Sequence, residues 1–293
     1  MSTATETYVN TPNRRVEAAD GTTFVYRDVG SGGELPLVLI QHFRGNLENW
    51  DPPLVDALAQ NRRVITFDYA GVGGSTGQTR HTIAEMAIGT LAFLDALGIE
   101  QADVLGFSIG SFVAQDITLT RPALVRRLVL ASSAPQGAAG MHGWAKSVMD
   151  AVGMPDTKPE GYLSVFFAPS PASQAAGKQT LQRIFGARTE DRDTDTTWAT
   201  RLAQYDAVCA WGQPDNALLQ RVSAIECPVF IANGDSDPMI LPHYSYLLAG
   251  LIPQSKVKLY PDSAHGFLFQ HASEFATDVE AFLHGEGPAS LAG

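Results

Sequence analysis

Hydrophobic and polar positions alternate near the start of the chain and then give way to continuous apolar runs. The alternating halves of "VEAADGTTFVY" around Asp20-Gly21 predict a β-hairpin. The runs in "LPLVLIQH", "RRVITFDYAG", "ADVLGFS" and "RRLVLASSA" are typical of strands buried on both faces. Helical spacing between them predicts helices starting near Trp50, from Ile83 to Leu97 and from Ile109 to Leu119. This alternation of strands and helices predicts a parallel sheet covered on both faces.

The alternation stops between about residues 136 and 223, where apolar positions fall at helical spacing. The polar run "RTEDRDTD" at 188–195 predicts a solvated loop within this segment. Strand patterns resume in "CPVFIANGDSD" and "SKVKLYPDSAH", a last helix is predicted from Ala272 to His284, and the tail 285–293 is predicted to fray. We therefore predict a core in two parts, residues 1–135 and 224–293, with a helical insertion at 136–223.

One predicted strand ends in "VLGFSIG", with Ser108 between two glycines and an amphipathic helix after it. Such a turn is too sharp for flanking side chains, and it forces the central residue toward a positive φ. The serine then stands above the sheet at a helix N-terminus, where free amides and the helix dipole favour developing negative charge. The G-x-S-x-G pattern in this context predicts a nucleophile elbow.

A serine hydroxyl needs a base to remove its proton, and the chain offers seven histidines. His265 follows the last predicted strand in "YPDSAHGF", where a loop at the carboxyl end of that strand would overhang Ser108. We therefore predict His265 as the base. The third member should orient the imidazole and lie between serine and histidine in the chain. "NGDSDPM" offers both Asp235 and Asp237 for this role.

Composition and charge narrow the range of functions. The 293 residues are 45% hydrophobic and carry a formal net charge of −11, which argues against general binding to nucleic acid or anionic membranes. The first residues contain no apolar h-region, no run is long enough to span a membrane, and two cysteines are too few for a disulfide framework. A cytoplasmic location is expected. No metal-ligand spacing is present, and "GVGG" lacks the full G-x-G-x-x-G of a dinucleotide site, so neither a metal nor an organic cofactor is expected.

With elbow, acid and histidine in this order, the chain resembles the α/β-hydrolase fold superfamily. "FDYAGVGGS" at 67–75 also matches that family's D-x-x-G-x-G-x-S loop. The similarity is greatest to the cofactor-free branch of small esterases, lactonases and non-haem haloperoxidases. The resemblance implies an α/β fold with about eight mostly parallel strands and a helical cap inserted after the sixth. It also assigns the acid to Asp237, three residues past Gly234, and leaves Asp235 as a turn or capping residue.

The sequence departs from the family where one half of the oxyanion hole is expected. The family shows His-Gly-x after the "LVLI" strand, whereas this chain reads "QHFRG" at 41–45. A gapless match through "NLENWDP" places Phe43 at x, while a match on His42 would choose Arg44. We favour the backbone amide of Phe43. The amide of Ile109, the residue after the nucleophile, is expected to supply the other half.

These observations predict a serine hydrolase that cleaves a carboxylic ester or lactone through an acyl-enzyme. Ser108 argues against dehalogenases and epoxide hydrolases, which would carry aspartate at the elbow. Perhydrolysis or haloperoxidase-like chemistry, carbon–carbon bond hydrolysis and a non-catalytic receptor or scaffold remain open as alternatives. The aromatic residues of the insertion are expected to form partly its core and partly a pocket for a neutral, hydrophobic substrate: Trp144, Tyr162, Phe166, Phe167, Phe185, Trp198, Tyr205 and Trp211.

Overall fold

A computed structural model describes residues 7–285 of the chain. Eight strands form one sheet in the order β1-β2-β4-β3-β5-β6-β7-β8. The first two strands pair antiparallel with their neighbours, and the remaining pairs are parallel. The strands are β1 (Arg14–Glu17), β2 (Thr23–Val29), β3 (Leu37–Ile40), β4 (Val64–Phe67), β5 (Ala102–Phe107), β6 (Val125–Ala131), β7 (Val229–Gly234) and β8 (Ser255–Tyr260). The predicted fold class is confirmed.

Helices cover both faces of the sheet, and every residue of β3, β4, β5 and β7 is buried. In the core, α2 packs against α3 and α1 packs against α11. The described α-helices are α1 (Pro52–Leu58), α2 (Ile83–Ala96), α3 (Ile109–Thr120), α4 (Lys146–Val152), α5 (Pro159–Phe166), α6 (Pro171–Gly186), α7 (Trp198–Trp211), α8 (Asn216–Gln220), α9 (His243–Leu251), α10 (Phe267–Gln270) and α11 (Ala272–Leu283).

Several elements predicted from periodicity occur where the pattern placed them. The hairpin pairs β1 with β2 across Asp20-Gly21, and Gly21 has a φ of 83° that suits glycine in a tight turn. Helix α1 begins with two prolines, where no backbone N–H is needed. Helices α2, α3 and α11 start at Ile83, Ile109 and Ala272, as predicted. Periodicity was sufficient for α2 and α11 because each of these helices buries one face, whereas α3 is buried at every residue from Ile109 to Thr118.

The insertion between β6 and β7 contains α4 to α8 and no strand among the residues described. Its polar run at 188–195 is a loop in which five of the eight residues are exposed, as predicted, while three, Arg188 and Asp193 among them, are half-buried. Arg188 is 9% exposed at its side chain and donates to the backbone carbonyls of Val9 (2.7 Å) and Thr11 (2.8 Å). The amide of Asp193 donates to Glu48 Oε1 over 3.3 Å. The three half-buried residues are held against the core by ion pairs and hydrogen bonds that composition does not reveal.

Residues 1–6 and 286–293 lie outside the described part of the chain. The predicted fraying of the tail at 285–293 therefore falls outside the described residues, apart from Gly285. Among the helices of residues 7–285, none has both the length and the apolar character required to cross a membrane.

Candidate active site

Ser108 occupies the turn between β5 and α3 in a conformation that few non-glycine residues adopt. Its φ is 57° and its ψ is −125°. A Cβ atom at Gly106 would lie 2.3 Å from the carbonyl oxygen of Gly110, and one at Gly110 would lie 2.2 Å from that of Ile40. Only glycine therefore fits on either side of the serine. The strained turn places Ser108 at the N-terminus of α3, as the nucleophile-elbow pattern predicts.

Three side chains from three loops meet at this turn. His265, which follows β8, has Nε2 3.0 Å from the Oγ of Ser108. Its Nδ1 lies 2.8 Å from the Oδ2 of Asp237, which follows β7. All three residues are at least 97% buried. With its proton on Nδ1, the ring donates to Asp237 and Nε2 can accept from the serine hydroxyl. The structure thus brings together the three predicted residues.

The two aspartates after β7 have different partners. Asp237 Oδ1 accepts from the amides of Met239 (2.8 Å) and Ile240 (3.0 Å), which fixes the carboxylate while Oδ2 faces His265. Asp235 is exposed and accepts from the amides of Asp262 (3.0 Å) and Ser263 (3.3 Å). Asp235 therefore fastens the neighbouring loop, the one that leads to His265, rather than its own turn alone.

The histidine loop is also held by the insertion. The amide of His265 donates to the carbonyl of Val165 (3.2 Å), and the amide of Gly266 donates to that of Phe166 (2.8 Å). The rings of Phe107 and Phe166 contact the imidazole at centroid distances of 5.1 and 5.2 Å. The end of α5 thus fixes the position of the imidazole from above.

The loop after β3 offers one free amide to the site. The amide of His42 donates to Gln41 Oε1 (2.8 Å), and that of Gly45 donates to the carbonyl of His42 (3.0 Å). The amide of Arg44 donates to Gln204 Oε1 over 2.6 Å. Within residues 7–285, no group accepts from the amide of Phe43. This pattern favours Phe43 over Arg44 as the donor on this loop, and sequence alignment could not settle that choice.

The amide of Ile109 is the other predicted donor. It is the first residue of α3, and the first amides of an α-helix have no carbonyl partner within the helix. Among the described residues, none accepts from it. The helix dipole adds partial positive charge at this end. The N-terminus of α3 can therefore stabilise negative charge beside Ser108.

His42 lies in the wall of the site as a neutral ring. Its Nδ1 lies 2.9 Å from the carbonyl of Phe43, and its ring contacts those of Phe107 and Phe166. Burial lowers the pKa of His42 from 6.5 to about 4, and the hydrogen bond to the carbonyl of Phe43 opposes this shift without cancelling it. His42 is therefore uncharged near neutral pH.

This lowered pKa predicts a loss of stability in acid. Because His42 takes up a proton more readily in the unfolded chain, its contribution to the free energy of unfolding is complete above pH 6.5 and decreases as the pH falls toward 4. At pH 5 the decrease should be about 2 kcal/mol. His42→Gln, which keeps an N–H donor for the carbonyl of Phe43, should lack this decrease. Urea unfolding of both proteins at pH 7 and pH 5 measures it; equal decreases in both would contradict the assignment.

A cavity of about 630 Å³ opens onto Ser108 and His265 beneath the insertion. Its wall combines aromatic and aliphatic side chains with polar and charged ones. The lining residues from the insertion are Val152, Pro155, Asp156, Thr157, Lys158, Pro159, Tyr162, Phe166, Leu181, Phe185, Asp195 and Thr196. The insertion therefore supplies twelve of the residues that line this cavity.

Some aromatic residues of the insertion line the cavity and some pack in the core, but Trp198 does neither, contrary to the expected division. Tyr162, Phe166 and Phe185 line the cavity. Phe167 is 1% exposed and packs in the core, whereas Trp198 is 40% exposed and stacks with Arg201. Neither of these two lines the cavity.

The comparison with protein families decides the relationship of the chain. A family model described as the alpha/beta hydrolase fold matches residues 36–272. The chain belongs to the α/β-hydrolase family. Among solved structures, an alpha/beta hydrolase fold protein from Chitinophaga pinensis is 35% identical, with a TM-score of 0.89 over 95% of this chain and 99% of its own. The resemblance to this superfamily is thus confirmed.

Other α/β-hydrolase relatives are more distant in sequence. The pimeloyl-(acyl-carrier protein) methyl ester esterase of Aliivibrio salmonicida is 26% identical over 274 residues, which cover 90% of this chain and 97% of the esterase. The enol-lactonase of Burkholderia xenovorans LB400 is 21% identical and has a TM-score of 0.75 over 93% of this chain and 100% of its own. The lactonase shows the same fold, and at these identities the names of relatives do not identify a substrate.

Proposed function

We propose that this α/β hydrolase cleaves a carboxylic ester or lactone through an acyl-enzyme formed on Ser108. The observation that carries the proposal is the hydrogen-bonded series Ser108 Oγ, His265 and Asp237, at 3.0 and 2.8 Å, at the base of an open cavity. A nucleophile, a base within reach of its proton and a group that orients the base are the requirements for acyl transfer. The esterase and enol-lactonase relatives support this reaction class.

In the proposed mechanism, His265 Nε2 takes the proton of Ser108 as Oγ attacks the carbonyl carbon of the substrate. Negative charge then develops on the former carbonyl oxygen, and the amides of Phe43 and Ile109 are the donors that would bind it. His265 returns its proton to the leaving alcohol oxygen, and water repeats the sequence to release the acid. Asp237 accepts the hydrogen bond from His265 Nδ1–H throughout, without taking the proton, and its negative charge stabilises the imidazolium. For a lactone the alcohol stays attached to the acyl chain.

The charges around the cavity favour a neutral substrate. Two lining residues, Arg44 and Lys158, carry a formal positive charge, and two, Asp156 and Asp195, carry a formal negative charge. Their sum is zero. The Arg44 guanidinium is already bound to the carbonyls of Met154 (2.9 Å) and Pro155 (3.3 Å). Aromatic and aliphatic side chains supply most of the remaining wall. We infer a largely hydrophobic acyl or alcohol group.

The proposal is tested by a graded series of p-nitrophenyl esters and lactones, together with labelling by a fluorophosphonate probe. Ser108-dependent hydrolysis of at least one series and labelling at Ser108 would support it. A chain that takes up no probe would be a receptor or scaffold. A labelled chain that acts on carbon–carbon bonds or forms peracids in preference to esters would assign the same three residues to a different reaction.

The cap should determine selectivity through its pocket aromatics. Phe185 lines the cavity and is 56% exposed, so its truncation should not disturb a core. Phe185→Ala should lower kcat/KM for bulky aryl esters about tenfold, within the roughly 1–3 kcal/mol expected for an apolar subsite. Hydrolysis of a short acetyl ester should change much less. Trp198→Ala, an exposed aromatic outside the lining, is the matched control. Equal losses on both esters would rule out a selectivity role for Phe185.

A further inference from the structure

The loop that carries the Phe43 amide is fixed by the insertion at its most strained residue. Arg44 has a φ of 60°, in the left-handed region that favours glycine and strains other residues. The Arg44 amide donates to Gln204 Oε1 of α7 at 2.6 Å, and its carbonyl accepts from Thr196 Oγ1 at 3.0 Å. Both backbone groups of this residue are thus bound by side chains from beyond residue 190.

These contacts set the direction of the free amide next to them. The peptide planes on either side of Phe43 are held by His42, whose carbonyl accepts from Gly45 and whose Nδ1 contacts the carbonyl of Phe43. Gln204 binds the nitrogen of the second of these planes. The two peptide planes carry four polar groups, and three of them are hydrogen-bonded. The fourth, the Phe43 N–H, has no acceptor among the described residues, and its direction is set by the bonds of the other three. A change at Gln204 would release the plane that adjoins Phe43.

The bond to the Arg44 amide is the only hydrogen bond of the Gln204 side chain among the described residues. Gln204 is fully buried, and its Nε2 has no hydrogen-bond partner among the described residues. A buried amide group without a hydrogen-bond partner is destabilising, so a glutamine is an unfavourable residue for a purely structural buried position. The same helix also reaches the loop through rings: Tyr205 packs on Trp144 (4.9 Å), and Trp144 packs edge-on against Phe43 (4.8 Å).

We propose that Gln204 is a positioning residue of the oxyanion hole, so that helix α7 of the cap completes the catalytic machinery as well as covering it. The inference rests on the proposed function, since it concerns the same site. Gln204 acts through Arg44 and Phe43 and does not line the cavity. Substrate binding should therefore be independent of it, whereas stabilisation of the oxyanion should depend on it.

The experiment compares Gln204→Met, which removes the acceptor at similar size, with Gln204→Glu, which keeps an acceptor oxygen. Gln204→Met should lower kcat about 10- to 100-fold with KM changed less than about threefold, because a displaced oxyanion donor affects the transition state alone. Gln204→Glu should recover most of that loss. Inhibition by a boronic acid, whose adduct with Ser108 places an oxygen in the oxyanion hole, should weaken in Gln204→Met by about the same factor as kcat.

Two further variants keep the test decisive if Gln204→Met folds poorly. Thr196→Val removes the hydroxyl that binds the Arg44 carbonyl and should lower kcat in the same sense. Gln213→Met, just beyond the end of α7 with its side chain bonded only to the carbonyl of Cys209, should leave kcat unchanged. An active parent enzyme with full kcat in Gln204→Met and Thr196→Val would overturn this inference alone. A parent without Ser108-dependent ester hydrolysis would overturn the proposed function and this inference with it.

Discussion

Ser108→Ala should lower ester turnover by about a millionfold and leave a folded protein, because covalent catalysis is lost while the other groups remain. The residual rate should still exceed that in water, since the amides of Phe43 and Ile109 and the pocket contacts persist. Alanine can adopt the φ of 57° at this turn about as well as serine, so little change in stability is expected. Initial rates on the best ester of the series, with active-site titration of the parent, measure the effect.

Two controls separate this result from unfolding or contamination. Circular dichroism and the Tm of Ser108→Ala should match those of the parent. Ser236→Ala removes an exposed hydroxyl that contacts only Asp235, and it should retain parental turnover and fluorophosphonate labelling. Turnover of Ser108→Ala within tenfold of the parent, with matched spectra, would show that this serine is not the nucleophile.

The fold was predictable because its signals are local. Strands buried on both faces appear as continuous apolar runs, and helices with one buried face appear at 3.6-residue spacing. The elbow is equally local, since Gly106, Ser108 and Gly110 lie within five residues and the strain can be inferred from their spacing. His265 was predictable by a different route, from a loop that follows a strand at one edge of a parallel sheet. That route left Asp235 and Asp237 as alternatives for the acid, and the family resemblance assigned it to Asp237. The structure places His265 and Asp237 beside Ser108, and their catalytic roles stay predictions.

The contacts of the insertion could not be predicted, because they join residues far apart without a repeating pattern. The bond from the Arg44 amide to Gln204 spans 160 positions. Nothing in the sequence distinguishes this glutamine from others, and the choice between Phe43 and Arg44 depended on it. The charged run at 188–195 illustrates the same limit. Its composition indicates solvent exposure, whereas pairing of Arg188 and Arg192 with the buried Glu48 holds part of it against the core.

The insertion therefore contacts the site in two ways: it lines the cavity, and it binds the backbone of the loops around Ser108. The sequence predicted only the first. Phe185 lines the cavity and lies beside the Arg192 guanidinium, without a ring contact to the Ser108, Asp237 or His265 side chains among the described residues, so its effects should be confined to substrate choice. The end of α5 instead binds the backbone of the loop that carries His265, and Gln204 binds the backbone of the loop after β3. Substitutions in the cap should accordingly separate into those that change the ranking of substrates and those that lower turnover of all of them.

Asp237→Asn should lower turnover by about 10⁴-fold, whereas Asp235→Asn should lower it less than about tenfold. At 237 the amide oxygen would keep the bonds from Met239 and Ile240, which leaves the NH₂ group facing His265 Nδ1. The ring would then favour the tautomer with its proton on Nε2 and could not accept from Ser108. At 235 an asparagine oxygen still accepts from the loop that Asp235 fastens, and His265 keeps its partner.

Kinetics of both variants on one ester, with matched Tm values, distinguish the two positions. Because Asp235→Asn loosens the connection to residues 262–263, its Tm should fall slightly while kcat remains near the parental value. Asp237→Asn should show the opposite pattern, a nearly unchanged Tm with a large loss in kcat. Equal losses of kcat in the two variants, or the larger loss at 235, would show that the carboxylate 2.8 Å from His265 is not the group that orients it.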